Sequence, residues 1–168
     1  SKHKKILEKN KKINHITTIK SRSFTSNSFQ NKKKFNLALI CSPSSMHLKH
    51  IDLLVKNSIN FFVEKPLSCR NFNFKKLIKK IDIKNIKNIE VGYVFRHDQN
   101  AIWIKKQLEK KSFGKILYSQ IICKTNFLKW REKNYIKTVS AQKKLGGGVL
   151  NELSHELDYA LWFFGNLK

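Results

Sequence analysis

Between residues 35 and 64 the hydrophobic pattern changes period twice. "FNLALIC" (35–41) is a continuous apolar run closed by "SPSS", which predicts a strand buried on both faces. "MHLKHIDLLVKNS" (46–58) places Leu48, Ile51, Leu53, Leu54 and Val55 at helical spacing, and "INFFVE" (59–64) returns to a strand pattern. Downstream the alternation continues, with a helix over 71–82, a strand over 89–96 and a helix over 100–111. Upstream, "KHKKILEKNKK" (2–12) carries a thin apolar stripe and predicts a helix. "INHITTIK" (13–20) alternates, is rich in β-branched residues and predicts a strand. The Ser/Asn/Lys-rich residues 21–34 read as a loop with room for one short helix.

Strands alternating with helices predict βαβ units and a parallel sheet. That regime changes at "GKILYSQIICKTNF" (114–127), a long alternating strand with no crossover helix after it. The expected organisation is therefore α/β, with one domain over 1–113 and the start of a second over 114–168. Within the second, residues 128–148 read as a loop ending in three glycines. A single last helix over 149–165 follows, closed by Gly165.

Composition narrows the classes. Hydrophobic residues at 40% and aromatics at 11% exclude a disordered chain. The formal charge of +24 raises the question of a polyanion partner, but Lys and Arg are spread from Lys2 to Lys168 and mixed with Ile and Asn. That mixture reads as the residue drift of an AT-rich genome, so no nucleic-acid partner is expected, while anionic small ligands are favoured. A nucleic-acid-binding protein stays the remote alternative. Three cysteines without metal-type spacing predict no disulfide framework and no metal site, and point to a reducing cytoplasm. No apolar run approaches the roughly 18 residues of a membrane span, and no signal peptide opens the chain. Ser1 in place of Met, and the lack of a closing element at Lys168, predict a chain cut at both ends.

In open parallel sheets, ligands bind beyond the carboxyl ends of the strands. Three of the predicted strands end in residues suited to that rim. "ICSPSSMH" brings Ser42, Pro43, Ser44, Ser45 and His47 to a helix start, "FFVEKP" brings Glu64 and Lys65, and "YVFRHD" brings Arg96 and His97. The last helix adds Asn151, His155 and Asp158, whose spacings of four and three predict one shared face. Each has a plain alternative: a surface turn for Glu64–Lys65, a core histidine for His155, a structural ion pair for Arg96. Their joint occurrence in this order favours a site.

The motifs "CSPSSMH" (41–47), "EKP" (64–66), "GYVFR" (92–96), "FGKI" (113–116) and "GGGVLNELSHELD" (146–158) together resemble the glucose–fructose oxidoreductase / inositol dehydrogenase (Gfo/Idh/MocA) family. Residues 130–165 look most like members encoded among surface-polysaccharide and nucleotide-sugar genes. The resemblance implies a partial Rossmann domain followed by the beginning of an α/β substrate and oligomerisation domain. It implies hydride transfer between NAD or NADP and an alcohol or ketone of a sugar or nucleotide sugar, in a homo-oligomer. Lys65 and His155 then take the catalytic positions. Ser21, Arg22, Ser42, Pro43, His47, Glu64 and Lys65 line the cofactor, and Arg96, Asn151, His155 and Asp158 bind substrate.

Two departures stand out. Asn151 occupies the place of the family's aspartate, and Glu152 on a continuous helix points about 100° away, a poor substitute. Lys65 is thereby the stronger acid/base candidate, with His155 assisting. Secondly, the family's first strand and Gly-rich turn have no counterpart, so the chain is expected to begin just after that turn. "IKSRSF" carries Lys20, Ser21, Arg22 and Ser23 with no acid, which favours NADP over NAD. A non-catalytic truncated member, or a partner subunit, is the main alternative.

Overall fold

The computed structural model of the protein describes residues 2–29, 35–71, 74–81, 88–126 and 135–165. The chain divides into two compact units, Ser1–Lys33 and Lys34–Lys168.

The first unit holds helix α1 (Lys2–Glu8) and two 3-10 turns, Ser21–Ser23 and Ser26–Phe29. The helix is shorter than the polar stripe predicted, and residues 13–20 form no strand. Alternation specifies which side chains share a face, but a strand also needs a neighbour to take its backbone hydrogen bonds. No ladder reaches this segment among the described residues.

The second unit is built on a parallel sheet in the order β1 (Leu37–Ile40), β2 (Asn60–Val63) and β3 (Ile89–Val91). Ala38 is in register with Phe61 and Ile40 with Val63, while Phe61 faces Ile89 and Val63 faces Val91. Helix α2 (His47–Lys56) crosses between β1 and β2, and α3 (Phe74–Lys80) lies between β2 and β3 in the chain. The prediction for α3 ran over 71–82, of which 72, 73 and 82 lie outside the described residues. Helix α4 (Gln99–Glu109) follows, capped by Asp98, whose carboxylate accepts from the Ala101 amide at 3.0 Å.

The core is where the sequence pattern is most regular. Phe61 and Val63 point to one face of the central strand, and Ile51, Leu54 and Val55 of α2 lie on one helical stripe; all five are buried. α2 stops at Asn57, whose side-chain amide donates to the Leu53 carbonyl at 2.8 Å. Ser58 then turns the chain at φ 55°, and Ile59 enters β2.

Four expectations are corrected here. β1 is not covered on both faces: Leu37 is 51% exposed at the sheet edge. The strand over 89–96 ends at Val91, after which Val94–His97 wind into a 3-10 turn. Residues 114–126 form no strand, and residue 127 lies outside the described residues. Leu117 and Tyr118, consecutive and therefore on opposite faces of any strand, are 85% and 78% exposed, so no sheet among the described residues covers either face. The last helix is two: α5 (Val149–Glu152) and α6 (Ser154–Phe164), broken at Leu153. Within the predicted loop 128–148, three 3-10 turns occupy Tyr135–Lys137, Val139–Ala141 and Lys143–Leu145. No helix among the described residues is long and apolar enough to cross a membrane.

Leu54 is 1% exposed beneath the sheet, so Leu54→Ala is expected to cost about 2–5 kcal/mol, read as a shift in the urea midpoint. A loss below about 0.5 kcal/mol, the range of ordinary surface substitutions, would remove Leu54 from the core.

Candidate functional site at the strand ends

The three strands end side by side. Beyond β1 the ladder continues for one bond, from the Glu64 amide to the Ile40 carbonyl at 2.9 Å; beyond β2, the Gly92 amide donates to the Val63 carbonyl at 2.8 Å. Ser42, Lys65 and Tyr93 are thus delivered to one rim by sheet register. A Cβ at Gly92 would lie 2.9 Å from the Phe62 ring and 3.2 Å from a Glu64 carboxylate oxygen, so glycine there lets the Glu64 side chain lie close over β3. The Glu64 charge and burial both push the Cys41 thiol up, burial more strongly.

Lys65 leaves β2 just before a cis bond to Pro66 and reaches the break between α5 and α6. Its ammonium donates to the Glu152 carbonyl at 2.7 Å and to the Asn151 carbonyl at 3.5 Å, with the Glu152 carboxylate 4.0 Å away. In a continuous helix the Glu152 carbonyl would accept from the Glu156 amide. That amide goes to Leu153 instead, at 3.3 Å, leaving the Glu152 oxygen to the lysine. A cation seated on freed carbonyls at a helix C-terminus is favoured by the dipole as well as by the hydrogen bond, the latter worth about 1.5–3 kcal/mol.

His155 begins the second turn of this segment. Its ring stands edge-on between Tyr93, at 5.8 Å, and Phe95, at 5.5 Å. Its Nδ1 is buried and meets no hydrogen-bond partner among the described residues. Burial pulls its pKa below the ordinary value and the Lys65 charge lowers it further, against the opposing carboxylates of Glu156, Asp158 and Glu64. The ring is accordingly kept neutral, with a nitrogen able to accept a proton.

Arg96 and Asp158 form a two-pronged ion pair, with Nε–Oδ2 at 2.9 Å and Nη2–Oδ1 at 2.8 Å, and the guanidinium lies 5.6 Å above the Trp162 ring. Both residues are at the site, yet each already satisfies the other. Asn151 does not share a helical face with His155, because Leu153 separates their helices. Its amide instead donates to the Gly146 carbonyl at 3.1 Å, which also accepts from Ser44 Oγ at 3.2 Å. Two side chains on one carbonyl pin the glycine loop to the turn after β1. An open cleft of about 330 Å3 adjoins this loop between Ser140, Lys143, Gly148 and Leu150, at the lower end of ligand-pocket sizes.

The remaining predicted residues are placed as follows. Ser42 Oγ lies 3.0 Å from His50 Nδ1, and Pro43 precedes the 3-10 turn that leads into α2. His47, expected at the cofactor, is 1% exposed, with its ring turned inward onto the Ser42 and Pro66 carbonyls. Ser21 and the exposed Arg22 belong to the first unit. His97, expected at the rim, lies 2.6 Å from Glu90 on the surface. Three functional candidates escaped the sequence. Tyr93 and Phe95 frame His155, and their alternation in "GYVFR" was the available signal. Glu152 was set aside on the geometry of an unbroken helix, and the residue that breaks it lies 87 positions upstream.

No protein-family model and no curated protein matches the chain significantly. Solved structures do. One from Bacillus subtilis, described as "putative oxidoreductase yvaA", superposes with a TM-score of 0.57 at 20% identity, over 84% of this chain and 37% of its own. Another from Sinorhizobium meliloti 1021, described as a "putative myo-inositol dehydrogenase", gives 0.58 at 18% identity, over 86% of this chain and 41% of its own.

Two outcomes are expected. Gly146 has φ +95°, and a Cβ there would lie 1.9 Å from Ser44 Oγ, so Gly146→Ala should lose about 1–3 kcal/mol of stability. Adding Ser44→Gly should recover part of it in the same thermal melt; no recovery would contradict the contact. An NMR titration of His155 should place its midpoint below the ordinary value of about 6.5, and Lys65→Met should move it up. The folded chain holds this proton less tightly than the unfolded one. The stability it contributes is present above about pH 6.5 and is lost as pH falls through the lowered folded value. A midpoint indifferent to Lys65 would contradict the arrangement.

The chain shares the fold of these two structures, of whose lengths it spans 37% and 41%.

Proposed function

We propose that the chain is part of a nicotinamide-dependent oxidoreductase of the Gfo/Idh/MocA type. Its substrate is an alcohol or ketone carbon of a sugar or nucleotide sugar, in the cytoplasm, in a homo-oligomer serving surface-polysaccharide synthesis. The observation that carries the proposal is the ammonium of Lys65 on the Asn151 and Glu152 carbonyls, at the carboxyl ends of three parallel strands, with the buried Nδ1 of nearby His155 meeting no hydrogen-bond partner among the described residues.

The rim suits a dinucleotide. Ser42 and Pro43 form a small-residue turn ahead of α2, and Gly92 allows close approach at β3. Ser21 and Arg22, hydroxyl and cation without an acid, suit a 2′-phosphate and favour NADP. When bound, the nicotinamide accepts or supplies the hydride. The chain's own part is the proton. His155, held neutral by burial and by Lys65, takes the hydroxyl proton as the carbon is oxidised and returns it on reduction. Lys65 directs its ammonium at the reacting oxygen, and Glu152 and the α5 carbonyls hold that ammonium in place. Arg96, oriented by Asp158 and stacked on Trp162, presents its remaining donors to substrate hydroxyl or phosphate groups.

A second reading has one observation in its favour. Asn151 uses its amide as a donor to the Gly146 carbonyl, a bond the family's aspartate could not make. The position is then structural, as in a member that keeps the fold without turnover.

Fluorescence titration of the folded chain with NADPH and NADH separates these readings. Micromolar binding of both is expected, tighter for NADPH. Arg22→Ala should weaken NADPH about tenfold and leave NADH unchanged, the effect of one charge-assisted hydrogen bond. Hydride transfer with sugars or nucleotide sugars that is abolished by Lys65→Ala supports the enzyme. Binding without transfer supports the second reading, and no binding by a folded chain overturns the nicotinamide proposal.

A further inference from the structure

Among the largest fully buried side chains of the second unit, His47 alone is polar, and the chemistry above leaves it without a task. Its ring is 1% exposed, and each nitrogen meets a backbone carbonyl: Nδ1 lies 2.9 Å from Pro66 O, and Nε2 lies 2.9 Å from Ser42 O. Ser42 belongs to the turn after β1. Pro66 directly follows Lys65 in the turn after β2. One ring therefore spans the two turns that form the rim, at the end of the sheet where β1 and β2 have ceased to bond each other.

Both acceptors are carbonyl oxygens, which cannot donate. A ring nitrogen that carries hydrogen donates to the carbonyl it faces. The titratable side chains on the segments meeting there are Cys41, His50, Glu64, Lys65 and Cys69, with Glu64 the single acid among them. His50 is buried and occupied with Ser42 Oγ, so it holds the same turn from a second side.

We propose that His47 is the positioning residue of this site: its ring, seated between the two turns, fixes the Ser42 carbonyl against the Pro66 carbonyl and so sets where Lys65 stands on the rim. The proposal rests on the reading of Lys65 as the group that meets the reacting oxygen. A merely space-filling histidine would contribute to stability without governing Lys65.

The test uses the whole chain with 15N-labelled histidine. A slowly exchanging ring N–H signal from His47, coupled across a hydrogen bond to the Ser42 or Pro66 carbonyl, is expected. A His47 ring with no N–H coupled to either carbonyl overturns the proposal. Acetylation rates by mass spectrometry give the functional readout. In His47→Ala, Lys65 should acetylate several-fold faster while Lys56 and Lys105 keep their rates, and His47→Gln, which serves one carbonyl, should fall between. Unchanged Lys65 reactivity in a folded His47→Ala chain overturns the proposal; if neither variant folds, the ring signals of the unsubstituted chain decide it. NADPH binding measured on the same samples keeps the two ideas apart. A protected, carbonyl-coupled ring N–H signal without NADPH binding sustains the latch and removes the nicotinamide reading.

Discussion

The second unit turns on one ammonium group taking a carbonyl that a helix would otherwise use. Lys65 Nζ sits 2.7 Å from the Glu152 oxygen, where the helical run is interrupted between α5 and α6. The break gives α5 to the glycine loop, through Asn151, and gives α6 to the aromatic pair Tyr93 and Phe95, through His155. The same ammonium lowers the proton affinity of His155. Position and electrostatics at the site therefore share a cause, and that cause is delivered by the register of a central strand with Phe61 and Val63 in the core.

The charge distribution separates the site from the rest of the surface. The chain carries 35 Lys and Arg residues against 11 Asp and Glu. Four of those acids act on the Lys65–His155 region: Glu64, Glu156 and Asp158 on the histidine, and Glu152 on the lysine. Basic excess is thus a property of the outer surface, where it attracts anionic ligands over a range set by ionic strength. Around Lys65 and His155 cations and carboxylates alternate, an arrangement that suits proton transfer better than it suits holding a polyanion.

Much of this was legible in the sequence, for physical reasons that also explain the failures. β1, α2 and β2 lie where burial dictates period, and Leu37–Ile40, His47–Lys56 and Asn60–Val63 fall within the predicted spans. Residues 13–20 and 114–126 alternate as well as any strand, but a strand is a relation between two segments, and no second segment joins them among the described residues. Lys65 could be placed at a strand end and His155 on the last helix because both positions follow from local pattern. Glu152 was missed, because the helix geometry used to dismiss it is undone by a lysine remote in sequence. His47 was read among the cofactor-lining residues from the resemblance, and nothing local reveals two carbonyls converging on its ring.

The most direct test is of the break itself, by the 13Cα and carbonyl chemical shifts of Leu153 in the unsubstituted chain and in Lys65→Met. Leu153 has φ −97° and ψ 29°, outside a regular helix. If the ammonium holds the break open, removing it should shift Leu153 toward helical values as the Glu156 amide returns to the Glu152 carbonyl. Unchanged shifts at Leu153 in a folded Lys65→Met chain would mean that the break has another origin, and that Lys65 fills a gap it did not make.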